Sequence, residues 1–422
     1  MTEPSRRAML ARFCGYTTLR NLRFIEPFFV LFLLQDLRLD YVVMGGVLAY
    51  TRTLTAILET PTGVAVDRYG RRRGLVVMFL VTALAFAVLG LASLQGWGLL
   101  AVLAGQSLYA LGEALRSGTH KAVMLDYLDG RGERDQATAV IGLTRVFSKA
   151  STGVAALLGG VLLWQTADYA GLFCASSATC VLGAGLMLTY PRRLEGEWVR
   201  DAEAKQQADA QASEAPEVPS WWSRFKGVFS GPGVLALVLA SVAFETQTKL
   251  ALAYLQPYLA GETNRQGLAV LGAGALAIGA YTFVQGLAAG ASSALSVPWQ
   301  RRLGPRALSL AHLLGVACLA GCAVALYVGV LWPGLVALLA LACLQNLRRP
   351  IFVAALNEVM DPYQRATTLS LESQLRGIVY AVAALGVGAV ADRWGLGAAF
   401  ALMAGLAAFS LIPPRRRVAT EG

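Results

Sequence analysis

The stretch Gly63-Val-Ala-Val-Asp67-Arg68-Tyr-Gly70-Arg71-Arg72-Arg73 drops five charges between two long apolar runs. Before it, residues 41–65 carry Arg52 and Glu59 as their only charges; after it, Gly74 to Leu94 carries none. Each run is long enough to cross the hydrocarbon core of a bilayer, which takes about 20 residues of helix. A connection this short and this basic belongs on the cytoplasmic side, because cytoplasmic loops hold the excess of arginine and lysine.

The rest of the chain reads the same way. It is 56% hydrophobic and 15% charged over 422 residues, against about a quarter charged in an ordinary soluble domain. Apolar runs place spans near 13–34, 42–65, 74–94, 100–126, 137–163 and 170–190, then near 233–259, 268–292, 307–328, 333–356, 367–391 and 396–413. A soluble helical bundle would show polar outer faces at a 3.6-residue period, and these runs lack them. The net charge of +10 is concentrated in alternate connections, about 22 basic residues against only Arg38, Arg265 and Arg393 in the others. This asymmetry excludes a nucleic-acid surface and predicts a multi-pass inner-membrane protein with both termini cytoplasmic. All eight tryptophans fall at span ends or in connections, as an interfacial belt requires. The first run carries Arg20, Arg23 and Glu26 and no small-residue cleavage site, so it reads as a span, not a cleaved signal.

The pattern Gly-x-x-x-Asp-Arg-x-Gly-Arg-Arg from Gly63 to Arg72 resembles the loop between the second and third helices of the major facilitator superfamily. That resemblance implies an all-α membrane protein of twelve transmembrane helices in two pseudo-symmetric six-helix halves. The halves would be 1–190 and 233–422, joined by a polar cytoplasmic linker over 191–232. The end of that linker, Trp221-Trp222-Ser-Arg224-Phe225-Lys226-Gly-Val228-Phe229, has the spacing of a short helix lying on the inner leaflet. Internal echoes agree with a parallel duplication. Ala137-Thr138, Ala155 and Gly159 recur at one offset as Ala366-Thr367, Ala384 and Gly388, and Arg301-Arg302-Leu-Gly304-Pro-Arg306 is a degenerate second copy of the loop.

The loop itself suggests a gate. Gly63 and Gly70 allow close approach and a tight turn. Asp67 is an anion suited to the positive N-terminus of another helix, which the resemblance implies is the eleventh, beginning near Ala366. Arg71 or Arg72 would pair with an acid ending the fourth helix, for which Asp126 is the candidate, and Arg68 completes the set.

Eleven basic residues remain inside the spans: Arg20, Arg23, Arg52, Arg116, Lys121, Arg145, Lys149, Lys249, Arg348, Arg349 and Arg376. The acids are fewer: Glu26, Glu59, Glu113, Glu245 and Glu372, with Glu358 at a boundary. A charge at a helix centre costs about 2.5–3.5 kcal/mol even on the lenient insertion scale, so these side chains must pair or line a wet cavity. Arg23 with Glu26, Glu113 with Arg116, Glu245 with Lys249, and Glu372 with Arg376 have same-face helical spacing. Tyr109, Glu113, Arg116 and His120 form a stripe on the fourth span. The basic surplus favours an anionic or zwitterionic small-molecule cargo. The cargo contacts expected are Arg23, Arg52, Tyr109, Arg116, His120, Arg145, Lys149, Lys249, Asn346, Arg349 and Arg376. Glu26, Glu113, Glu245 and Glu372 are the candidates for proton coupling.

No phosphate-cradling glycine loop, HExxH pair, metal cluster or nucleophile elbow is readable, so the expectation is a carrier without enzyme activity, cofactor or metal. A monomer would suffice. A multidrug/proton antiporter and a lipid flippase of the same fold are the alternatives. Exporters of the superfamily often carry Gly-x-x-x-Gly-Pro in the fifth helix, whereas this chain has Gly153-Val-Ala-Ala-Leu-Leu-Gly159-Gly160 without the proline.

Overall fold

Gly70 sets the turn that the basic loop predicts: its φ of 109° is open to glycine at little cost. It separates α2 (Tyr41–Tyr69) from α3 (Arg71–Gln95). The computed structural model describes residues 5–95, 98–195, 232–265, 273–359 and 365–411. The linker expected over 191–232, with its amphipathic end, therefore lies almost wholly outside the described residues.

Helix dominates throughout. α1 spans Arg6–Asn21, α4 Gly98–Arg116, α5 Thr119–Asp129, α6 Ala137–Thr166 and α7 Tyr169–Leu188. In the second part α8 spans Pro232–Ala253, α9 Leu255–Arg265, α10 Ala275–Ser292, α11 Ala307–Val328, α12 Leu331–Val359 and α13 Arg365–Ala408. Nine helical stretches among the described residues are long and apolar enough to cross a membrane. Two of these, Ala275–Val328 and Glu372–Leu411, are 54 and 40 residues long. Each folds back at a left-handed glycine, Gly304 (φ 51°) and Gly395 (φ 82°), and so makes two passes. With the interrupted first pass, the described residues supply segments for twelve passes.

Two expected helices are broken. The span near 13–34 stops at Asn21 and resumes after Ile25. Pro27 explains the gap: it has no N–H to donate, and its ring would strike the carbonyl four residues back, at Arg23. The exposed backbone groups find partners, with the Leu22 carbonyl accepting from Thr179 Oγ1 at 2.9 Å and the Ile25 N–H donating to Ser176 Oγ at 3.4 Å. The span near 100–126 breaks at Ser117-Gly118, where Gly118 takes φ 75°. Arg116 thereby becomes the last residue of α4, and His120 falls in a separate helix that starts at Thr119.

The chain forms two compact units. One comprises Met1–Arg38, Tyr50–Glu217 and Thr263–Gly286; the other comprises Leu39–Ala49, Val218–Glu262 and Leu287–Gly422. In the first unit, α6 and the start of α10 approach through glycine. A Cβ on Gly160 would sit 2.7 Å from the Ala275 carbonyl oxygen, and one on Gly279 2.5 Å from that of Ala156. In the second unit, α2 and α13 do the same, Gly45 against the Ala384 carbonyl and Gly388 against Tyr41 and Val42. Small residues at such crossings let backbones pack closely where no hydrophobic effect drives association. Asp392 locks the second crossing, its carboxylate accepting the Tyr41 and Val42 N–H groups at 2.8 Å each. An acid at a helix N-terminus satisfies orphan donors and meets the positive end of the dipole.

Candidate functional site

The basic loop is tied into the first unit on two sides. Arg71 bonds Asp67 at 3.1 Å one turn earlier and also pairs with Asp126 of α5. Arg72 donates to the last carbonyls of α7, Met187 at 3.2 Å and Leu188 at 2.7 Å, where a cation complements the negative helix end. Arg68 lies with its guanidinium carbon 5.7 Å from the centre of the Tyr69 ring. Asp67 is 62% exposed. The helix expected to begin near Ala366 begins at Arg365, and the side chains of Ala366 and Thr367 lie outside the described ones. Gly63 differs from expectation. A Cβ there would meet nothing within 4 Å, and the close approach falls instead at Gly74, against Val66.

A first charge cluster centres on Glu113 of α4. Arg23, freed by the helix break, reaches Oε1 at 2.7 Å. Arg20, in the last turn of α1, reaches Oε2 at 3.2 Å, and Arg116 reaches Oε2 at 2.9 Å through Nη2 and 3.1 Å through Nε. Arg23 also donates to the Tyr109 hydroxyl at 2.5 Å and lies 5.0 Å from that ring's centre. Arg23 and Glu26 do not share a helix face, because the segment between them is not helical, but they lie within electrostatic reach of one another.

His120 departs from the expected stripe for the same kind of reason. The break at Gly118 sets it in a separate helix, in an aromatic nest within electrostatic reach of Arg116 and Arg20, stacked on Tyr16 at 3.5 Å and edge-on to Phe13. Its Nε2 faces the Tyr190 hydroxyl at 3.4 Å.

A second cluster gathers two acids and four cations in the second unit. Glu245 of α8 bonds Lys249 at 3.0 Å, Arg348 and Arg349 of α12 at 3.2 Å each, and Arg376 of α13 at 3.1 Å. Glu372, fully enclosed, takes Arg349 at 2.9 Å and Arg376 at 3.0 Å. Ser241 accepts from Arg348 at 3.1 Å and donates to Glu372 at the same distance. Arg348 is wholly buried between Phe244 and Phe352, 5.0 and 5.4 Å from their ring centres. His312 Nδ1 faces the Ser410 carbonyl at 3.1 Å, which can only accept. The proton therefore sits on Nδ1, leaving Nε2 to accept from Arg348 at 3.4 Å.

Several expected contacts fall outside both clusters. Asn346 back-bonds to the Ala342 carbonyl of its own helix at 2.9 Å. Arg52 is exposed on α2, as are Arg145 and Lys149 on α6. Lys149 lies within electrostatic reach of Arg145 and Glu26. Sequence reasoning missed Arg20 and Tyr16 beside Glu113, and Ser241, Arg348 and His312 behind Glu245. Only the Pro27 break could have flagged Arg20 and Arg23 as one constellation.

Outside the spans, Glu133 gathers Arg6 at 2.9 Å and Arg131 at 3.1 Å. The hydrogen bond from Arg131, joined by that from Arg6, holds its carboxyl below the usual range. Among the described residues no group of His, Cys, Asp and Glu is placed to hold a metal ion.

No curated protein matches the chain by sequence. The family model described as Major Facilitator Superfamily matches residues 8–280. Among solved structures the chain is similar to the nucleoside transporter NupG, with 12% identity over 96% of both chains and a TM-score of 0.72. A bacterial homologue of the human lysosomal transporter Spinster gives 15% identity, 97% of both chains and 0.70. A D-xylose–proton symporter gives 14%, 96% of this chain, 97% of that one and 0.67. At these identities the likeness is one of fold. With well over half of its length matched by the family model and a helical fold similar to that of solved transporters, the chain belongs to the Major Facilitator Superfamily of secondary transporters.

Proposed function

We propose that this transporter moves a small organic anion or zwitterion across the inner membrane by alternating access, acting as a monomer with both termini in the cytoplasm. The observation that carries the reading is the charge balance of the two clusters. Three arginines surround Glu113, and Lys249, Arg348, Arg349 and Arg376 surround Glu245 and Glu372. Each cluster carries a formal surplus of two positive charges, in helices read as membrane-spanning, where an unbalanced charge is costly. An anionic group on the cargo offsets that surplus; a lipophilic cation adds to it.

Arg116 and Arg349, each about a third exposed, are the groups through which cargo would be contacted, with Arg23, Arg376 and Lys249 beside them. Arg71 with Asp67 and Asp126 forms the cytoplasmic gate. A multidrug antiporter for cations would need an acid left open to its cargo; Glu113, Glu245 and Glu372 each bond at least two cations, so that reading would fall on the exposed Glu26 and Glu59. Coupling to protons, the mode printed for the D-xylose–proton symporter, would fall to Glu26, Glu113, Glu245 or Glu372.

The test is thermal stability of the detergent-purified protein against organic anions, zwitterions, lipophilic cations and lipids. A ligand at about a hundredfold over its Kd adds roughly 2.7 kcal/mol. Stabilisation by an anion or zwitterion in wild type, absent in Arg116→Ala, is expected. Stabilisation by lipophilic cations or lipids alone would overturn the reading.

A further inference from the structure

We infer that Glu113 is a resident anion: it occupies the place of the cargo's oxyanion group, carboxylate or phosphate, and is displaced when cargo binds to Arg20, Arg116 and Tyr16. This rests on the reading of the cargo as an anion and goes further, naming a subsite and what fills it when cargo is absent.

Glu113 is over-subscribed. Its two oxygens accept from three guanidiniums, Arg116 with two nitrogens and Arg20 and Arg23 with one each. The same cluster still holds donors with nothing to bond. Arg20 Nε, Arg23 Nε and the Tyr16 hydroxyl are buried without a hydrogen-bond partner. Arg23 is 4% and Tyr16 3% exposed, and Tyr16 lies within electrostatic reach of Arg116, Arg20, Glu113 and Arg23. Buried donors are almost always satisfied in folded proteins, so three in one place indicate an absent acceptor. An acceptor able to serve several N–H and O–H groups at once is a carboxylate or a phosphate.

Access follows from unequal enclosure. Arg23 is tied down by Tyr109 as well as Glu113, but Arg116, at the end of α4, is 33% exposed. An incoming oxyanion can therefore take Arg116 and Arg20 from Glu113 while Arg23 retains it. Glu372 is placed differently. It is fully enclosed and backed by Ser241, so no cargo group can take its position without opening the fold.

An internal competitor lowers the apparent affinity for the external ligand, and removing it restores that affinity. The experiment uses the full chain in detergent, with sodium acetate, sodium glutamate and inorganic phosphate as probes at constant ionic strength against sodium chloride. Without probe, Glu113→Gln should melt below wild type, since three arginines lose their anion. Probe should restore the loss, with apparent affinity raised about tenfold or more over wild type. Arg116→Gln should abolish the response in either background. Should Glu113→Gln not purify, Glu113→Asp, one methylene shorter, must show a smaller gain of the same sign.

Preference for acetate and glutamate over phosphate would identify a carboxylate cargo, and the reverse a phosphorylated one; both support the inference. Probe binding to wild type that is unchanged or weakened in Glu113→Gln and Glu113→Asp would overturn it while leaving the anion reading intact. Absence of any probe response in every form, with lipophilic cations stabilising wild type, would overturn both.

Discussion

The cluster around Glu113 and the cluster around Glu245 and Glu372 carry the same formal surplus of charge, but they are built to opposite specifications. The second is a closed lattice. Arg348 is wholly buried between two phenylalanines, its Nη1 faces Ser241 and His312 and its Nη2 bonds Glu245 while its Nε is left without a partner, and Glu372 has no exposure. The first is an open star, in which one carboxylate serves three arginines, three donors are left over, and Arg116 reaches the surface of its unit. Charge in a low-dielectric site is tolerated either by enclosing it in complementary partners or by leaving a place for a mobile counter-charge. The comparison assigns the first solution to the second unit and the second solution to the first.

Breaking the lattice should produce the largest effect. Arg348→Met removes the cation, leaves Glu245 with its remaining partners, and takes from Ser241 and from His312 Nε2 the donor each accepts from. Truncating one member of a buried charge network costs about 3–5 kcal/mol, so the variant should lose its monodisperse peak on size-exclusion chromatography. A variant as stable as wild type would show that the second cluster is as open as the first.

Arg116→Ala comes next and sharpens the contrast. Its side chain is a third exposed, so the stability cost should be about 1 kcal/mol or less, while binding of anionic cargo is lost. A large fall in melting temperature would place Arg116 in a structural lattice of its own.

Asp67→Asn probes a charge outside both clusters. It leaves the pair of Arg71 with Asp126 in place, so the fold should persist while the transport rate falls several-fold through a conformational step. Full activity in this variant would remove the gate from the account.

The smallest effect is expected from Glu133→Gln, which touches only the solvent-exposed arginines Arg6 and Arg131. Exposed ion pairs are screened and contribute little, and no change in melting temperature or transport should be measurable. A marked loss would mean that charge anywhere in the chain matters, and the distinction between clusters would fail.

Much of this was legible beforehand. The loop around Asp67 to Arg73 and the apolar runs were enough for the family and the twelve passes. Three of the four spacing pairs, Glu113 with Arg116, Glu245 with Lys249 and Glu372 with Arg376, are ion pairs in the structure. Spacing fails where the helix does. Pro27 and Gly118 break two spans, and with them the shared helix face expected of Arg23 and Glu26, which stay within electrostatic reach, and the stripe that should have included His120.

Adjacent residues defeat sequence reasoning in another way. Arg348 and Arg349 follow one another, yet about 100° of helix rotation buries one and leaves the other 36% exposed. Which of two neighbouring arginines faces the core depends on the packing of α8 and α11, and no pattern within α12 records it. Asn346 looked equally suited to a polar site and is spent on its own helix.

The central claim is that surplus positive charge selects the cargo, and uptake into proteoliposomes tests it most directly. Radiolabelled organic anions, zwitterions and a lipophilic cation would be offered to wild type and to Arg116→Ala. The account predicts that an anion or zwitterion accumulates with wild type and falls to the background of empty liposomes with the variant. Accumulation of the lipophilic cation alone, undiminished in Arg116→Ala, would contradict it.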